Sequence, residues 1–398
     1  WRKVMGKLYR LNNLLFKILF FLRPVEIVKK MLKISIVSKE IFLNRVTYYP
    51  RTVTDFERNF SEYIGMRYGL TFCNGTSSIE AALFALEIGQ GDEVIVPSCT
   101  FHASIDPVVN LGATPIFVDV EIDSCNILAE DVLKKITSKT KCIIVVHLFG
   151  NIADVDSIIQ IAKLHNIKVV EDVSHAHGAT YGQKKAGSFS DISCFSLQGA
   201  KAISAGEGGI ALTNSEDLLS KMSMYGHFGR HKNLFSDGNK KYQYTGIGHK
   251  LRANPLGMAM ASIDLKFNDF YNRKAARNKE IFNIFFENID GIDVIGDIYG
   301  GQSGGFFGGV PIVIDPEIFN TNDVVDNFKK YGVNVVRYPF PLHHEMEIYN
   351  QKRSGELVNT EYLHNNLLLI DRRLLIYCPI IIKHAIKKAI NGIKKGKL

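Results

Sequence analysis

The chain has 398 residues, 46% hydrophobic and 22% charged, ordinary values for a globular protein with ample length for a core in one large unit or two domains. Its six cysteines (Cys73, Cys99, Cys125, Cys142, Cys194, Cys378) are scattered without a C-x-x-C pair, which argues against a zinc cluster or a disulfide scaffold and favours a reducing cytoplasm. The net charge of +8 sits at the start: residues 1–45 carry eleven Lys and Arg against two Glu, so the body is near neutral and no nucleic-acid-seeking surface is expected.

Residues 1–45 join this charge to an apolar block, Leu14 to Leu22, interrupted by Lys17. Two readings are open: a basic amphipathic segment making peripheral contact with anionic lipid, or a helix packed on the protein with its lysines solvated. No run reaches the ~18–20 apolar residues of a spanning helix, and no small-residue cleavage site marks a signal peptide. Thr54 to Tyr63 predicts a helix with Thr54 as N-cap and Glu57 completing a capping box. Leu70 to Cys73 is strand-like and meets Asn74-Gly75-Thr76, where a helix begins. A glycine turn opening a helix presents free backbone N–H groups, and Thr76, Ser77 and Ser78 add hydroxyls, a geometry suited to phosphate. Strands follow at Glu93–Val96, Thr114–Val120, Cys142–His147 and Lys168–Glu171, with helices at Asp131–Ile136 and Asp154–His165 between them. This alternation predicts an α/β fold with a mostly parallel sheet flanked by helices. Ligands in such sheets bind beyond the carboxyl ends of strands, and Asn74, Phe101, His147 and Asp172 all fall there.

The most informative stretch is 169–209. A buried strand runs into Asp172; twenty-nine residues later Lys201 lies between a strand-like run, Ile192 to Leu197, and a turn at Gly206, Gly208 and Gly209. Pyridoxal 5′-phosphate (PLP) chemistry needs a lysine to hold the aldehyde as a Schiff base and a carboxylate to pair with the pyridinium nitrogen. The lysine must titrate near neutrality to act as a base, which a partly dry site achieves. The alternative is a surface lysine in a glycine loop and a strand-end helix cap.

NGTSSIEAAL, GDEVIVPSCTFHAS, GATPIFVDV, KCIIVVHLFG, EDVSHAHGATYGQKKAGSFSDISCFSLQGAK and GEGG occur in order. Together they resemble the DegT/DnrJ/EryC1/StrS (sugar) aminotransferase family of fold-type-I PLP enzymes, continuously from about residue 54 to 265 and more loosely through VVRYPFPLHHEMEIY. The resemblance implies Lys201 as the Schiff-base lysine and Asp172 as its pyridinium partner. It implies Phe101 over the cofactor ring and Gly75, Thr76, Ser77 and Ser196 at the phosphate. His175 stands where the family often has Gln, and Gln198 in a variable polar position beside the phosphate or ring. The family's Gly-Tyr-Asn-Tyr-Arg stretch reads Gly248-His249-Lys250-Leu251-Arg252 here, so Lys250 replaces an Asn that reaches the neighbouring subunit's phosphate; a lysine can serve a phosphate as a point charge. Arg230, Arg337 and His343 are the substrate-side candidates, with His343 and His344 equally readable as exposed loop histidines. No metal is expected, because no third ligand is evident beside them.

The implied function is a cytoplasmic transaminase. It takes an amino group from glutamate or glutamine and passes it to a keto-sugar nucleotide or cyclitol by ping-pong chemistry, as a homodimer with shared sites. The rivals are a dehydratase of the same family, in which histidine replaces the lysine; a PLP lyase or decarboxylase; and a non-catalytic membrane-associated relative. The expected organisation is a basic segment at 1–45, a large PLP-binding domain at 46–262 and a small carboxyl-terminal α/β domain at 263–398. The glycine-rich GGQSGGFFGG at 300–309 reads as a loop before a strand at Val310–Ile314; it lacks a Walker spacing.

Overall fold

The structure, a computed structural model, describes residues 24–43, 51–227, 248–287, 289–296, 299–349, 355–372, 384 and 386–392. Arg230, Cys378 and the Leu14–Leu22 block lie outside the described residues. In chain order the elements are α1 (Pro24–Phe42), α2 (Arg51–Ile64), β1 (Tyr68–Phe72), α3 (Gly75–Ala85), β2 (Glu93–Pro97), α4 (Asp106–Asn110), β3 (Thr114–Val118), α5 (Ala129–Lys135), β4 (Thr140–Val146), α6 (Val155–His165), β5 (Lys168–Asp172), β6 (Thr180–Tyr181), β7 (Lys184–Lys185), β8 (Ile192–Ser196), β9 (Gly209–Thr213) and α7 (Glu216–Gly226). Then come α8 (Pro255–Phe286), β10 (Ile292–Val294), β11 (Gly301–Gln302), β12 (Val310–Ile314), α9 (Thr321–Lys330), β13 (Val335–Arg337), α10 (Val358–Asn366) and β14 (Leu367–Ile370).

The main sheet has seven strands in the order β1-β9-β8-β5-β4-β2-β3. The run from β8 through β3 is parallel, while β9 is antiparallel to both β8 and β1. The sequence shows why: β2, β4 and β5 are near-continuous Val/Ile runs, buried on both faces as parallel strands must be. Because β1 and β8 both oppose β9, β1 points the same way as the parallel strands. The carboxyl ends of β1, β2, β4, β5 and β8 therefore open on one edge, where Asn74, Ser98, His147, Val173 and Leu197 follow.

A second, four-stranded antiparallel sheet has the order β10-β12-β14-β13, and a small one joins β11 to β6 and β7. The 32-residue helix α8 precedes the four-stranded sheet and runs through the boundary expected at residue 262. β11 belongs to the glycine-rich stretch expected as loop, which is thus anchored to the segment that follows Asp172.

The capping box expected at Thr54 does not form. α2 starts at Arg51, and the Thr54 hydroxyl donates back to the Arg51 carbonyl at 3.0 Å. Glu57 instead accepts the backbone N–H and the hydroxyl of Thr71, each at 2.8 Å. A buried carboxylate gains more from two donors on β1 than from a solvated helix start. The expected apolar face is real: Phe56, Phe60 and Ile64 are buried, with Phe60 edge-on to Phe195 of β8 at 4.9 Å.

Gly209 opens β9 where it passes the start of α3. A Cβ there would fall 2.2 Å from the Asn74 carbonyl oxygen and 2.9 Å from the Gly75 nitrogen, both backbone atoms that cannot rotate away. Gly209→Ala is expected to destabilise the fold by roughly 3 kcal/mol, the upper end of overpacking. An unchanged denaturant midpoint for this variant would contradict that packing.

Candidate active site

Asp172 ends β5 and is 5% exposed. Its Oδ2 accepts the Ser104 hydroxyl at 2.7 Å and its Oδ1 the Ser174 N–H at 3.0 Å. The Ser104 oxygen lies 3.0 Å from that of Thr100, so the segment after β2 is hydrogen-bonded to the acid at the end of β5. Neighbouring Glu171 faces the opposite side of the strand. Burial alone would raise its pKa, but hydrogen bonds from His147, Gly187 and Ser190 hold it below the usual carboxylate range. His147, completely buried, accepts the Ala153 N–H on Nδ1 and so presents Nε2–H to Glu171 at 3.0 Å. His147 is structural: it orients Glu171, whose carboxylate accepts the Gly187, Phe189 and Ser190 N–H groups of the loop between β5 and β8.

Lys201 lies on the loop between β8 and β9. That loop is held at Lys201 N to Gln198 O (2.8 Å), Ile203 N to His177 Nδ1 (3.2 Å), Ser204 N to Asp264 Oδ2 (3.0 Å) and Ala205 N to Leu197 O (2.8 Å). The Lys201 ammonium sits 3.4 Å from the centroid of the Phe307 ring. Its pKa is lowered to about 7, first by burial and then by the Arg372 charge, while Asp172 pulls it back up. This is the near-neutral amine that the chemistry requires. His175 packs on the same ring at 4.4 Å and accepts the Phe149 N–H on Nδ1. Burial, with the Lys201 and His177 charges, holds its pKa well below that of free histidine, so it is a neutral ring whose proton sits on Nε2.

At the end of β1, Asn74 caps α3 by accepting the Ser77 N–H at 2.8 Å. The amides of Gly75 and Thr76 are the first turn's orphan donors. Ser196 lies against them: a Cβ on Gly75 would come 2.8 Å from the Ser196 Cβ. Gln198 is exposed, and its Oε1 accepts the Ala200 N–H, so its side chain folds onto its own loop. Lys250 is exposed on a segment that runs beside the end of β1, where Cys73 N donates to Leu251 O at 2.7 Å.

Phe101 follows β2, is 49% exposed, and lies 6.4 Å from Phe340. His343 and His344 are not exposed loop histidines. The first is 1% exposed with Nδ1 3.0 Å from the Ser98 carbonyl; the second has Nδ1 2.9 Å from the Ser98 hydroxyl and Nε2 3.5 Å from Glu361. His344, Glu345 and Glu361 bring their ligand atoms within 4.8 Å of one another, a grouping that excludes His343, and His344 bridges Ser98 to α10. Arg337 is exposed on β13 and bonded to Asn322 of α9 rather than facing the Lys201 cavity.

Three groups at the site were missed in the sequence. Ser104 closes the GDEVIVPSCTFHAS motif, and nothing local in the sequence shows that its hydroxyl reaches Asp172. Phe307 comes from the glycine-rich stretch, held in place by Gly305, whose N–H donates to Asn272 and where φ is +68° and a Cβ would fall 2.7 Å from the His175 carbonyl oxygen. Arg372 follows β14. It lines, with Lys201, Lys29, Lys33, Asp264 and Asn268, a cavity of about 260 Å³.

The profile of the DegT/DnrJ/EryC1/StrS aminotransferase family matches residues 38–373. The chain belongs to this family. It is 39% identical over 231 residues to a GDP-perosamine synthase of Caulobacter vibrioides, covering 58% of this chain and 60% of that protein. The match to the GDP-perosamine synthase of Escherichia coli O157:H7 likewise covers 64% of the latter, so both alignments span less than two thirds of these relatives. It is 31% identical over 345 residues to the dTDP-3-amino-3,6-dideoxy-alpha-D-galactopyranose transaminase of Aneurinibacillus thermoaerophilus, covering 86% and 89% of the two chains. The solved aminotransferase of Psychrobacter cryohalolentis superposes with a TM-score of 0.82 at 27% identity, covering 91% of this chain and 97% of that one.

The family is PLP-dependent, and the residues here fit that cofactor. A buried acid, a near-neutral lysine beside an aromatic ring, and a helix start too crowded for side chains share one sheet edge. The lowered Lys201 pKa predicts a distinctive pH profile. In the cofactor-free protein, the rate of borohydride-trapped addition of an aldehyde to Lys201 rises about tenfold per pH unit up to about pH 7 and is then flat. An ordinary lysine would keep rising toward pH 10, and that profile would contradict the buried amine.

Proposed function

We propose that the protein is a PLP-dependent aminotransferase that takes an amino group from glutamate or glutamine and passes it to the keto group of a nucleotide-linked sugar, otherwise a cyclitol. One observation carries this reading: the Lys201 amine, brought near neutrality by burial, on the same sheet edge as the buried carboxylate of Asp172. The substrate class is supported by the relatives named for amino sugars on GDP and dTDP.

The bound cofactor supplies an aldehyde for amine exchange and a ring that withdraws electrons. Lys201 would hold that aldehyde through Nζ, and the same amine, when free, would take the proton from the donor's Cα. Asp172 keeps the ring nitrogen protonated. The Gly75 and Thr76 amides with the Thr76, Ser77 and Ser196 hydroxyls would hold the phosphate, Lys250 would add a positive charge, and Phe101 would cover the ring. His175 would offer Nε2–H to the ring hydroxyl, and Gln198 would border the phosphate. His343 is bonded to the Ser98 carbonyl, three residues before Phe101.

The test is incubation of the holoenzyme with glutamate or glutamine and a panel of GDP- and dTDP-linked keto-deoxysugars. Oxo-acid release matched by an amino-sugar mass supports transamination. Sugar deoxygenation, or decarboxylation of the amino acid, would point to the dehydratase or lyase chemistry instead.

The finer picture is a cytoplasmic homodimer. The exposure of Phe101, Gln198 and Lys250 leaves one side of the cofactor edge for a second copy to cover, and light scattering tests it. The free thiols of the five described cysteines accord with a reducing compartment. Peripheral membrane contact through residues 1–45 is a second reading for that segment, favoured by the outward side chains of Met31, Ile34 and Phe42 on α1. Among the described residues no helix is long and apolar enough to cross a membrane. Liposome sedimentation separates attachment from packing alone.

A further inference from the structure

α1 packs on α8, and polar side chains meet across that contact. Glu26, Lys29 and Lys33 fall on one face at helical spacing. The Tyr271 hydroxyl donates to Glu26 at 2.6 Å, and the Lys29 ammonium stands 4.6 Å from the Tyr271 ring centroid. Both lysines converge on one carboxylate, Asp264 of α8, with Lys29 Nζ 2.8 Å from Oδ1 and Lys33 Nζ 2.6 Å from Oδ2. The Asp264 side chain is 2% exposed, and the two lysines 14% and 25%. The same Oδ2 accepts the Ser204 N–H at 3.0 Å, three residues beyond Lys201. All four residues border the cavity that also holds Lys201.

A buried carboxylate needs adjacent cations or several hydrogen-bond donors to offset its desolvation, and the Ser204 N–H is joined here by two ammonium groups. Its hydrogen bond to a backbone amide is strongest in the ionised form. We propose that Asp264 is a positioning residue for the Lys201 loop and that Lys29 and Lys33 are the counter-charges that keep it able to do so. The helix at residues 24–42 is thereby a working part of the active site rather than a leader to it. The proposal rests on Lys201 being the cofactor-binding amine, but its first readout needs no cofactor.

That readout is deuterium exchange of the peptide covering residues 201–206 in the full-length, cofactor-free protein, measured as a double-mutant cycle. K29M/K33M leaves the buried carboxylate uncompensated and is expected to speed exchange of this peptide about tenfold. D264N keeps an oxygen for Ser204 N–H but loses the charge-assisted bond, so it is expected to speed exchange severalfold, by less than K29M/K33M. K29M/K33M added in the D264N background should then change nothing further. The PLP dissociation constant should follow the same order, rising about tenfold in K29M/K33M and severalfold in D264N.

The proposal is overturned if K29M/K33M leaves exchange unchanged, or if the lysine pair matters equally in the aspartate and D264N backgrounds, as simple helix packing would have it. Should K29M/K33M fail to fold, recovery of folding by adding D264N supports the proposal and continued failure overturns it. A wild-type protein that takes up no PLP would sink the Lys201 reading, while the exchange cycle would still decide the role of Asp264.

Discussion

Replacing Lys201 by alanine is expected to lower turnover by at least about ten-thousand-fold, because one amine both bonds the cofactor and carries the proton. Cofactor affinity should fall less. The Asp172 carboxylate, the α3 amides and the Ser196 hydroxyl remain in place, so K201A should retain PLP that is not trapped by borohydride. The variant also carries a stability signature of opposite sign. In the folded chain Lys201 titrates at about 7, below its ordinary value, so burial of its charged form opposes folding. That opposition is complete below pH 7 and is relieved as pH rises from 7 toward the unfolded lysine value near 10.4. Cofactor-free K201A should therefore unfold at a higher temperature than wild type at pH 6, with the gap closing by pH 10. A Tm gap independent of pH would mean the amine is not buried in the way described.

The chemistry was legible wherever it lies on contiguous sequence. Asp172 ends an apolar strand and Lys201 precedes a glycine turn, and both signals are local. The α3 start was equally plain, since Asn74-Gly75-Thr76 is a cap and a turn in three residues. What was missed comes from elsewhere in the chain. Phe307 is one aromatic in a glycine-rich run, and nothing near it in sequence says that Gly305 will lie against His175. Arg372 follows an ordinary buried strand. Asp264 looks like a surface residue of a long helix, because its partners Lys29 and Lys33 are more than 200 positions away. Thr54 shows the converse failure. Its capping pattern is sound as a local rule, and it yields to a tertiary partner for Glu57 that no window around residue 54 contains.

Asp172→Asn separates charge from shape at the other end of the site. Asparagine keeps a carbonyl oxygen for Ser104 or the Ser174 amide, so the fold and the strand end should survive with only a small loss of stability. The charge that keeps the ring nitrogen protonated is gone, and turnover should fall by about a hundred- to thousandfold, the range for losing one preorganised electrostatic group. A second consequence concerns Lys201 itself. The Asp172 charge raises the Lys201 pKa against burial and Arg372, both of which lower it. Without that carboxylate the amine should titrate lower still, so the plateau of the aldehyde-trapping profile should begin below pH 7 in D172N. The cofactor-free variant would then be the faster of the two proteins to react with an aldehyde at pH 6, although far slower in turnover. A midpoint that stays put or moves up would show that Asp172 and Lys201 do not share one electrostatic environment, and the pairing on which the proposed chemistry depends would fail.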